Sequence, residues 1–201
     1  MLNAKKRFFS MVLVLLMAFA FIRPISAEED RIESEPSQAN VIPVLIPMSL
    51  SKYLNVNRLC QYDYNLNEGC AITCCTMAYN YYKNPDVTPT YLYQLNGYSQ
   101  SITWSSSLAN FGLAQWPLTS YSTSNSAVYS HCTSHISAGR PVIICLEKSG
   151  ATHYVIAYGY DTQNYPNTLF IRDPGNHNYS TLTQCFNAGW SATYYHPIKN
   201  N

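Results

Sequence analysis

The segment Gln61–Tyr82, QYDYNLNEGCAITCCTMAYNYY, joins a polar loop to the start of a helix. The loop ends at Gly69, and apolar residues then recur every three to four positions, which is the spacing of one helix face. Cys70 therefore lies in the first turn of a predicted helix. The dipole and the unpaired N–H groups of a first turn both favour a thiolate. Two roles remain open for Cys70: a nucleophile, or an inert thiol that is buried or paired in a disulfide.

Around this segment, mostly helical patterns come first and strand patterns follow. We expect a strand at 51–60, helices at 90–95, 105–111 and 124–138, and strands at 141–146, 152–160, 168–173 and 192–195. A short helix or a turn is expected near 182–186. Helices followed by strands predict an α+β fold, in which N-terminal helices pack on a C-terminal antiparallel sheet.

The turn sequence DTQNYPN at 161–167 predicts a hairpin that brings His153 close to Asp173. A hairpin centred near residue 163 pairs these two residues directly, with both side chains on one face about 5 Å apart. A carboxylate beside an imidazole is the arrangement of a general base and its orienting group. A register shift of two residues would leave them diagonal neighbours, whereas a shift of one would place them on opposite faces.

Gln61 is a candidate fourth site residue. A side-chain amide upstream of a nucleophile can donate to a tetrahedral oxyanion, together with the backbone N–H of the nucleophile. This role requires the loop between Gln61 and Cys70 to fold back on itself. A surface glutamine is the alternative.

These sequence blocks together resemble the peptidase C39-like group of papain-like cysteine peptidases. The resemblance covers about residues 51–182 and rests on Gln61 with Gly69-Cys70, Gly139-Arg140-Pro141, His153-Tyr154-Val155, Tyr158-Gly159-Tyr160-Asp161 and Arg172-Asp173-Pro174. It implies a papain-like α+β fold with Cys70 as nucleophile, His153 as base, Asp173 as orienting group and Gln61 in the oxyanion hole. Neither a cofactor nor a metal is expected. Cys74 lies one helical turn beyond Cys70 and should be less exposed.

The N-terminal residues have the features of an export signal. Residues 1–27 combine a basic start, an apolar core and a small residue at Ala27, which predicts a secretory signal peptide cleaved near Ala27. A retained membrane anchor needs about 20 apolar residues, and this core is shorter. Residues 28–50 are interpreted as an acidic, proline-containing linker or a short pro-segment, and 51–201 as the peptidase C39-like domain. We therefore expect a secreted protein with no stable membrane association after signal removal.

The charge of the exported chain bears on its possible partners. Residues 1–27 hold four of the twelve Lys and Arg and no acid, so the exported chain has eight bases against eleven acids. This balance argues against nucleic-acid binding.

The seven cysteines all follow the signal, and an odd number in an exported chain predicts one free thiol and up to three disulfides. Which cysteine is free stays open.

His131 and His135 are four residues apart on a predicted helix, which is a spacing that can bind metal. No acidic residue accompanies them, and they lie off the apolar face of that helix. We therefore interpret them as part of a solvated helix face.

Three functions fit these patterns. The favoured one is a secreted cysteine peptidase that acts on a peptide or protein substrate. The others are an amidase or transpeptidase that uses the same residues, and a non-catalytic secreted binding domain whose cysteines are all structural.

Overall fold

The computed structural model describes residues 50–83, 86–117, 124–176 and 178–201. The predicted signal peptide, and all of the predicted linker except Leu50, lie outside this part of the chain. The described residues form an α+β structure with one six-stranded antiparallel sheet and five α-helices. The elements are β1 Ser51–Tyr53, α1 Cys70–Tyr82, α2 Pro89–Leu95, α3 Trp104–Asn110, β2 Leu113–Gln115, α4 Asn125–Ser137, β3 Val142–Lys148, β4 Ala151–Asp161, β5 Leu169–Arg172, α5 Leu182–Asn187 and β6 Ser191–Asn200. None of these helices has the length and apolar content needed to span a membrane.

The strand β4 is the centre of the sheet. It pairs with β3 along Ala151–Ala157, with β5 along 156–160 and with β1 at its end, where Ser51 lies opposite Asp161. The strand β6 pairs with β3, and the short strand β2 pairs with β6. Because β4 carries His153 and β5 leads directly to Asp173, the β4–β5 hairpin sets the relative position of these two residues.

A β-bulge at Tyr158 decides which face of the hairpin each residue occupies. Gly159 lies opposite Phe170, but Ala157 lies opposite Ile171, so β4 contains one extra residue between these pairs. Continued past Arg172, this ladder places Val155, not His153, opposite Asp173. The predicted register was therefore wrong by two residues. The two side chains are nevertheless diagonal neighbours on one face, whereas without the bulge they would lie on opposite faces.

Helix α1 is buried on almost every side. It packs against β4, α2 and β6. Its buried residues are Ala71, Ile72, Thr73, Cys74, Cys75, Thr76, Met77, Ala78 and Asn80. The predicted helix start at Cys70 is confirmed. The surrounding core holds α1 rigidly, so the residue at its first turn has a fixed position.

Two strand predictions need correction. The predicted strand at 51–60 is only three residues long, because the chain leaves the β4 ladder after the Leu54 N–H donates to the Tyr158 carbonyl at 2.8 Å. The strand β2 was not predicted. Its three residues, Leu113–Gln115, are too few to show an alternating pattern.

Candidate active site

The loop between Gln61 and Cys70 folds back on itself. Gln61–Tyr64 form one turn of 3₁₀-helix, and the Leu66 N–H then donates to the Gln61 carbonyl at 3.1 Å. The Gly69 N–H donates to the Leu66 carbonyl at 3.0 Å. A Cβ atom at Gly69 would lie 2.5 Å from the Cβ atom of Leu66, so this close turn requires glycine. The loop closure brings both of its ends, Gln61 and Cys70, to the same cleft.

His153 and Asp173 are in direct contact. The distance from His153 Nε2 to Asp173 Oδ1 is 2.8 Å. The Asp173 side chain is only 1% exposed, and it also accepts hydrogen bonds from the backbone N–H groups of Gly175, at 2.9 Å, and Tyr179, at 3.3 Å. The Gln61 N–H donates to the Pro174 carbonyl at 2.9 Å, which ties the cysteine loop to the carboxylate turn.

The environment of His153 favours the charged imidazolium. Burial lowers its pKa, but hydrogen bonds with Asp173 and Cys70, together with the charges of both groups, outweigh burial and raise the pKa to about 9. Because Nε2 is engaged by Asp173, Nδ1 is the ring nitrogen that remains for Cys70. The three side chains therefore act on one another in one cleft, with the imidazole hydrogen-bonded to the carboxylate and influenced electrostatically by the thiol.

Cys70 differs from the other cysteines in its exposure. It is partly exposed, whereas Cys60, Cys74, Cys75, Cys132, Cys145 and Cys185 are buried. The expectation that Cys74 is less exposed than Cys70 is confirmed. Burial raises the pKa of Cys74, Cys75 and Cys132. These groups therefore remain protonated thiols, and Cys70 is the thiol that a substrate can reach.

The predicted disulfides do not form in this structure. All seven cysteines lie in the described part of the chain, and all are free thiols. Four of the buried ones, on α1, α4 and α5, pack in the hydrophobic core as small apolar side chains. The number of cysteines alone did not reveal that they are unpaired, since a buried free thiol and a thiol in a disulfide add equally to that number.

Gln61 lines the same cleft and keeps unused hydrogen-bonding capacity. Its side chain is 3% exposed, and Nε2 donates to the Asn67 carbonyl at 2.9 Å. Its Oε1 atom is buried without a hydrogen-bond partner among the described residues. An amide nitrogen carries two hydrogens, so one donor of Gln61 is still available.

The cleft that holds the four predicted residues has a volume of about 260 Å³. Its wall includes Trp190 and Tyr179, which sequence reasoning missed because neither residue has a characteristic spacing to the others. The Trp190 ring centroid lies 5.7 Å from that of His153, and Trp190 Nε1 donates to the Tyr179 hydroxyl at 3.4 Å. These two aromatic side chains therefore form the part of the cleft wall next to His153.

A second cavity, of about 320 Å³, is also lined by Cys70. It is lined by Gln100, Ile102 and Tyr154 among others, and it shares Glu68, Cys70 and Thr152 with the first cavity. The described residues that line a larger cavity of about 440 Å³, between α4, the β4–β5 turn and α5, include neither cysteine, histidine nor carboxylate, so we do not assign catalysis to it.

The interpretation of His131 and His135 as a solvated helix face is wrong. His135 is 6% exposed, and its Nε2 atom lies 3.0 Å from His131 Nε2. Arg140 Nε donates to His135 Nδ1 at 3.0 Å, and its guanidinium lies 4.3 Å from the centre of the Trp116 ring. In the described residues, no group of three or more His, Cys, Asp or Glu side chains is arranged to hold a metal ion.

A helix-start thiol, an imidazole and a carboxylate in one cleft are the side-chain set of thiol hydrolases. Here an α+β fold holds this set, with the thiol on α1 and the other two groups on the β4–β5 hairpin. The chain belongs to the Peptidase_C39 like family, whose sequence model matches residues 53–199. This confirms the resemblance noted from the sequence.

No curated protein and no solved structure matches the chain significantly. The family assignment associates the chain with peptidase function and with a peptide or protein substrate.

Proposed function

We propose that the protein is a secreted cysteine peptidase that hydrolyses peptide bonds with Cys70, His153, Asp173 and Gln61. The observation that carries the proposal is that Cys70, His153, Asp173 and Gln61 line one cleft, in which His153 Nε2 lies 2.8 Å from Asp173 Oδ1 and Cys70 contributes to the raised pKa of His153. Asp173 orients the ring and stabilises the imidazolium, as the carboxylate of a Cys/His/Asp or Ser/His/Asp site does.

In the proposed reaction, the Cys70 thiolate attacks the carbonyl carbon of the scissile peptide bond. The imidazolium Nδ1–H of His153 then donates its proton to the leaving amine, the C–N bond breaks, and a thioester to Cys70 remains. His153 next accepts a proton from water, which attacks the thioester. The acid product leaves, and the thiolate and imidazolium are restored.

The proposed oxyanion site lies at the start of α1. No side chain caps this helix, and the N–H groups of its first turn have no intrahelical acceptor. The Cys70 N–H and the free Nε2 hydrogen of Gln61 are therefore the donors that we assign to the developing oxyanion. Loss of one such donor typically costs about 10²–10³ in kcat.

We also propose a papain-like arrangement of α1 against the sheet, and export through the signal at residues 1–27. The support is the cysteine at the start of a buried helix opposite a hairpin that carries histidine and carboxylate. Export is supported by the basic start, apolar core and small residue of the N-terminal sequence.

The direct test is active-site labelling of the purified protein with iodoacetamide, followed by peptide mapping. We expect fast labelling of Cys70 and none in Cys70→Ala, with cleavage of a peptide library by the wild type alone. Labelling that persists at another cysteine in Cys70→Ala would contradict this assignment. Mass spectrometry of the products separates hydrolysis, which yields a free acid, from transfer to an added amine, which yields a new amide.

A further inference from the structure

The two cavities beside Cys70 form one groove, which we call the Cys70 groove. It comprises the cavities of about 260 Å³ and 320 Å³ that share Glu68, Cys70 and Thr152. Because the proposed nucleophile lines both cavities, we expect a bound peptide to extend into both, with the scissile bond beside Cys70. Glu68 and Thr152 are therefore the side chains that flank the scissile bond on both sides.

The described lining of the Cys70 groove carries a net negative charge. Among the described residues, its charged or titratable lining side chains besides Cys70 and tyrosines are Glu68, His153 and Asp173, and neither lysine nor arginine is one of them. His153 and Asp173 are paired with each other at 2.8 Å. Lys148, on the β3–β4 hairpin, lines neither cavity and donates to the Ala188 carbonyl instead. Apart from the proposed Cys70 thiolate, Glu68 is thus the charge of the described lining that the His153–Asp173 pair does not balance.

Glu68 is exposed at the end of a loop whose backbone is held in place. Its N–H donates to Gln100 Oε1 at 2.9 Å, and the next residue, Gly69, closes the turn onto Leu66. The carboxylate makes neither an ion pair nor a hydrogen bond with any described residue. Residues 51–201 contain only six Asp and Glu, so an unpaired carboxylate two positions from the nucleophile is a distinctive feature of this surface.

We propose that Glu68 selects peptides that carry lysine or arginine next to the scissile bond. The proposal rests on the peptidase function proposed above and names the substrate class of that same site. The carboxylate attracts a cationic side chain on either side of the bond, since it borders both cavities. An exposed charge is screened by water and salt, so one such contact changes kcat/KM by about three- to tenfold.

The first experiment compares matched peptides that contain lysine, norleucine or glutamate beside the cleaved bond. We expect the wild type to cut the lysine peptide fastest and the glutamate peptide slowest. Glu68→Gln should lower kcat/KM for the lysine peptide about three- to tenfold and leave the norleucine peptide unchanged. Asp63→Asn is the matched control, because Asp63 is an exposed acid in the same loop that lines neither cavity.

The second experiment does not depend on peptide cleavage. The rate of Cys70 alkylation is measured with anionic iodoacetate, neutral iodoacetamide and cationic 2-bromoethylamine, with Cys70→Ala as background. Glu68→Gln should raise the iodoacetate rate and lower the bromoethylamine rate, each relative to iodoacetamide. Asp63→Asn should leave both ratios unchanged, and raised salt should reduce the differences.

The outcomes separate the two proposals. The peptides could be cleaved at rates that are equal in wild type and Glu68→Gln for all three sequences. That result would overturn the role of Glu68 and leave the peptidase function intact. Absence of any cleavage would reject the peptidase function, and the alkylation ratios then decide about Glu68. Ratios unaffected by Glu68→Gln overturn its role, whereas shifted ratios support a groove that selects cations.

Discussion

Two histidines of this protein, His153 and His135, have opposite electrostatic environments. Both are largely buried: the side chain of His153 is 16% exposed, and His135 as a whole residue is 6% exposed. Each is hydrogen-bonded to one charged residue. The partner of His153 is the carboxylate Asp173, and the pKa of His153 is raised to about 9. The partner of His135 is the guanidinium Arg140, and burial together with His131 and Arg140 lowers the pKa of His135 to about 4. Burial lowers the pKa at both sites, so the sign of the charged neighbour decides the difference.

The hydrogen-bond directions lead to the same distinction. Arg140 can only donate, so His135 Nδ1 is an acceptor and the proton of the ring is on Nε2. That proton is donated to His131 Nε2, at 3.0 Å. Both ring nitrogens of His135 are therefore in use, and neither can serve as a base or bind a metal. His153 has only Nε2 engaged, by Asp173, and it lines the same cleft as Cys70.

The largest expected effect comes from Asp173→Asn. An amide cannot stabilise imidazolium and favours the wrong tautomer, so we expect kcat/KM to fall by about 10³–10⁴. The matched control is Arg140→Gln, which removes the charged partner of the other histidine. Its kcat/KM per folded molecule should stay within about twofold of the wild type. Equal losses in both variants would show that the two histidines do not differ in function.

The second effect is on the pH dependence of Cys70 labelling. With anionic iodoacetate the rate should fall as pH rises through about 9, because the positive charge of the His153 imidazolium, which attracts this reagent to the thiolate, is then lost. In Asp173→Asn this fall should move to lower pH, since burial remains while the largest opposing contribution is removed. A profile that is identical in both proteins would contradict the proposed coupling.

The third effect is on stability in acid. Because the pKa of His135 is about 4 in the folded chain and about 6.5 when unfolded, its contribution is present above pH 6.5 and lost as pH falls through 4. His135→Gln cannot ionise, so its free energy of unfolding should decline less between pH 7 and pH 4, by about 1–2 kcal/mol. Urea unfolding at both pH values measures this. His153 acts in the opposite direction: its contribution is present below pH 6.5 and lost as pH rises through 9.

The smallest effect is expected from Arg140→Met, which removes the positive neighbour of His135. The pKa of His135 should rise, but only slightly, since burial is the largest cause of its depression and Arg140 ranks behind His131. Titration of the ring proton signals by NMR would detect the change. A rise to the ordinary value of about 6.5 would show that the guanidinium, and not burial, dominates this site.

Much of the fold follows from local sequence patterns. The helix start at Cys70 was predicted because Gly69 and the apolar spacing after it are adjacent in sequence. The pairing of His153 with Asp173 was predicted within two residues because turn residues define the end of a hairpin. The exposure of Cys70 relative to Cys74 follows from their positions along one helix.

Other features depend on residues that are distant in sequence. The burial of His135 was missed because Arg140 and Trp116 cover it, and its own helix carries no sign of them. The shared position of Glu68 and Thr152 beside Cys70 likewise arises from a loop and a strand that are far apart in the chain.

The sequence by itself determined the candidate nucleophile, base, orienting group and amide, because each lies beside a local signal of a helix start or a turn. Only the tertiary structure decided that one bulge residue, Tyr158, places His153 and Asp173 on the same face, and that all seven cysteines remain free. The physical reason is that strand alternation changes face with every inserted residue, while packing depends on contacts that no local pattern records. The site therefore required both: local patterns for its residues and the fold for their geometry.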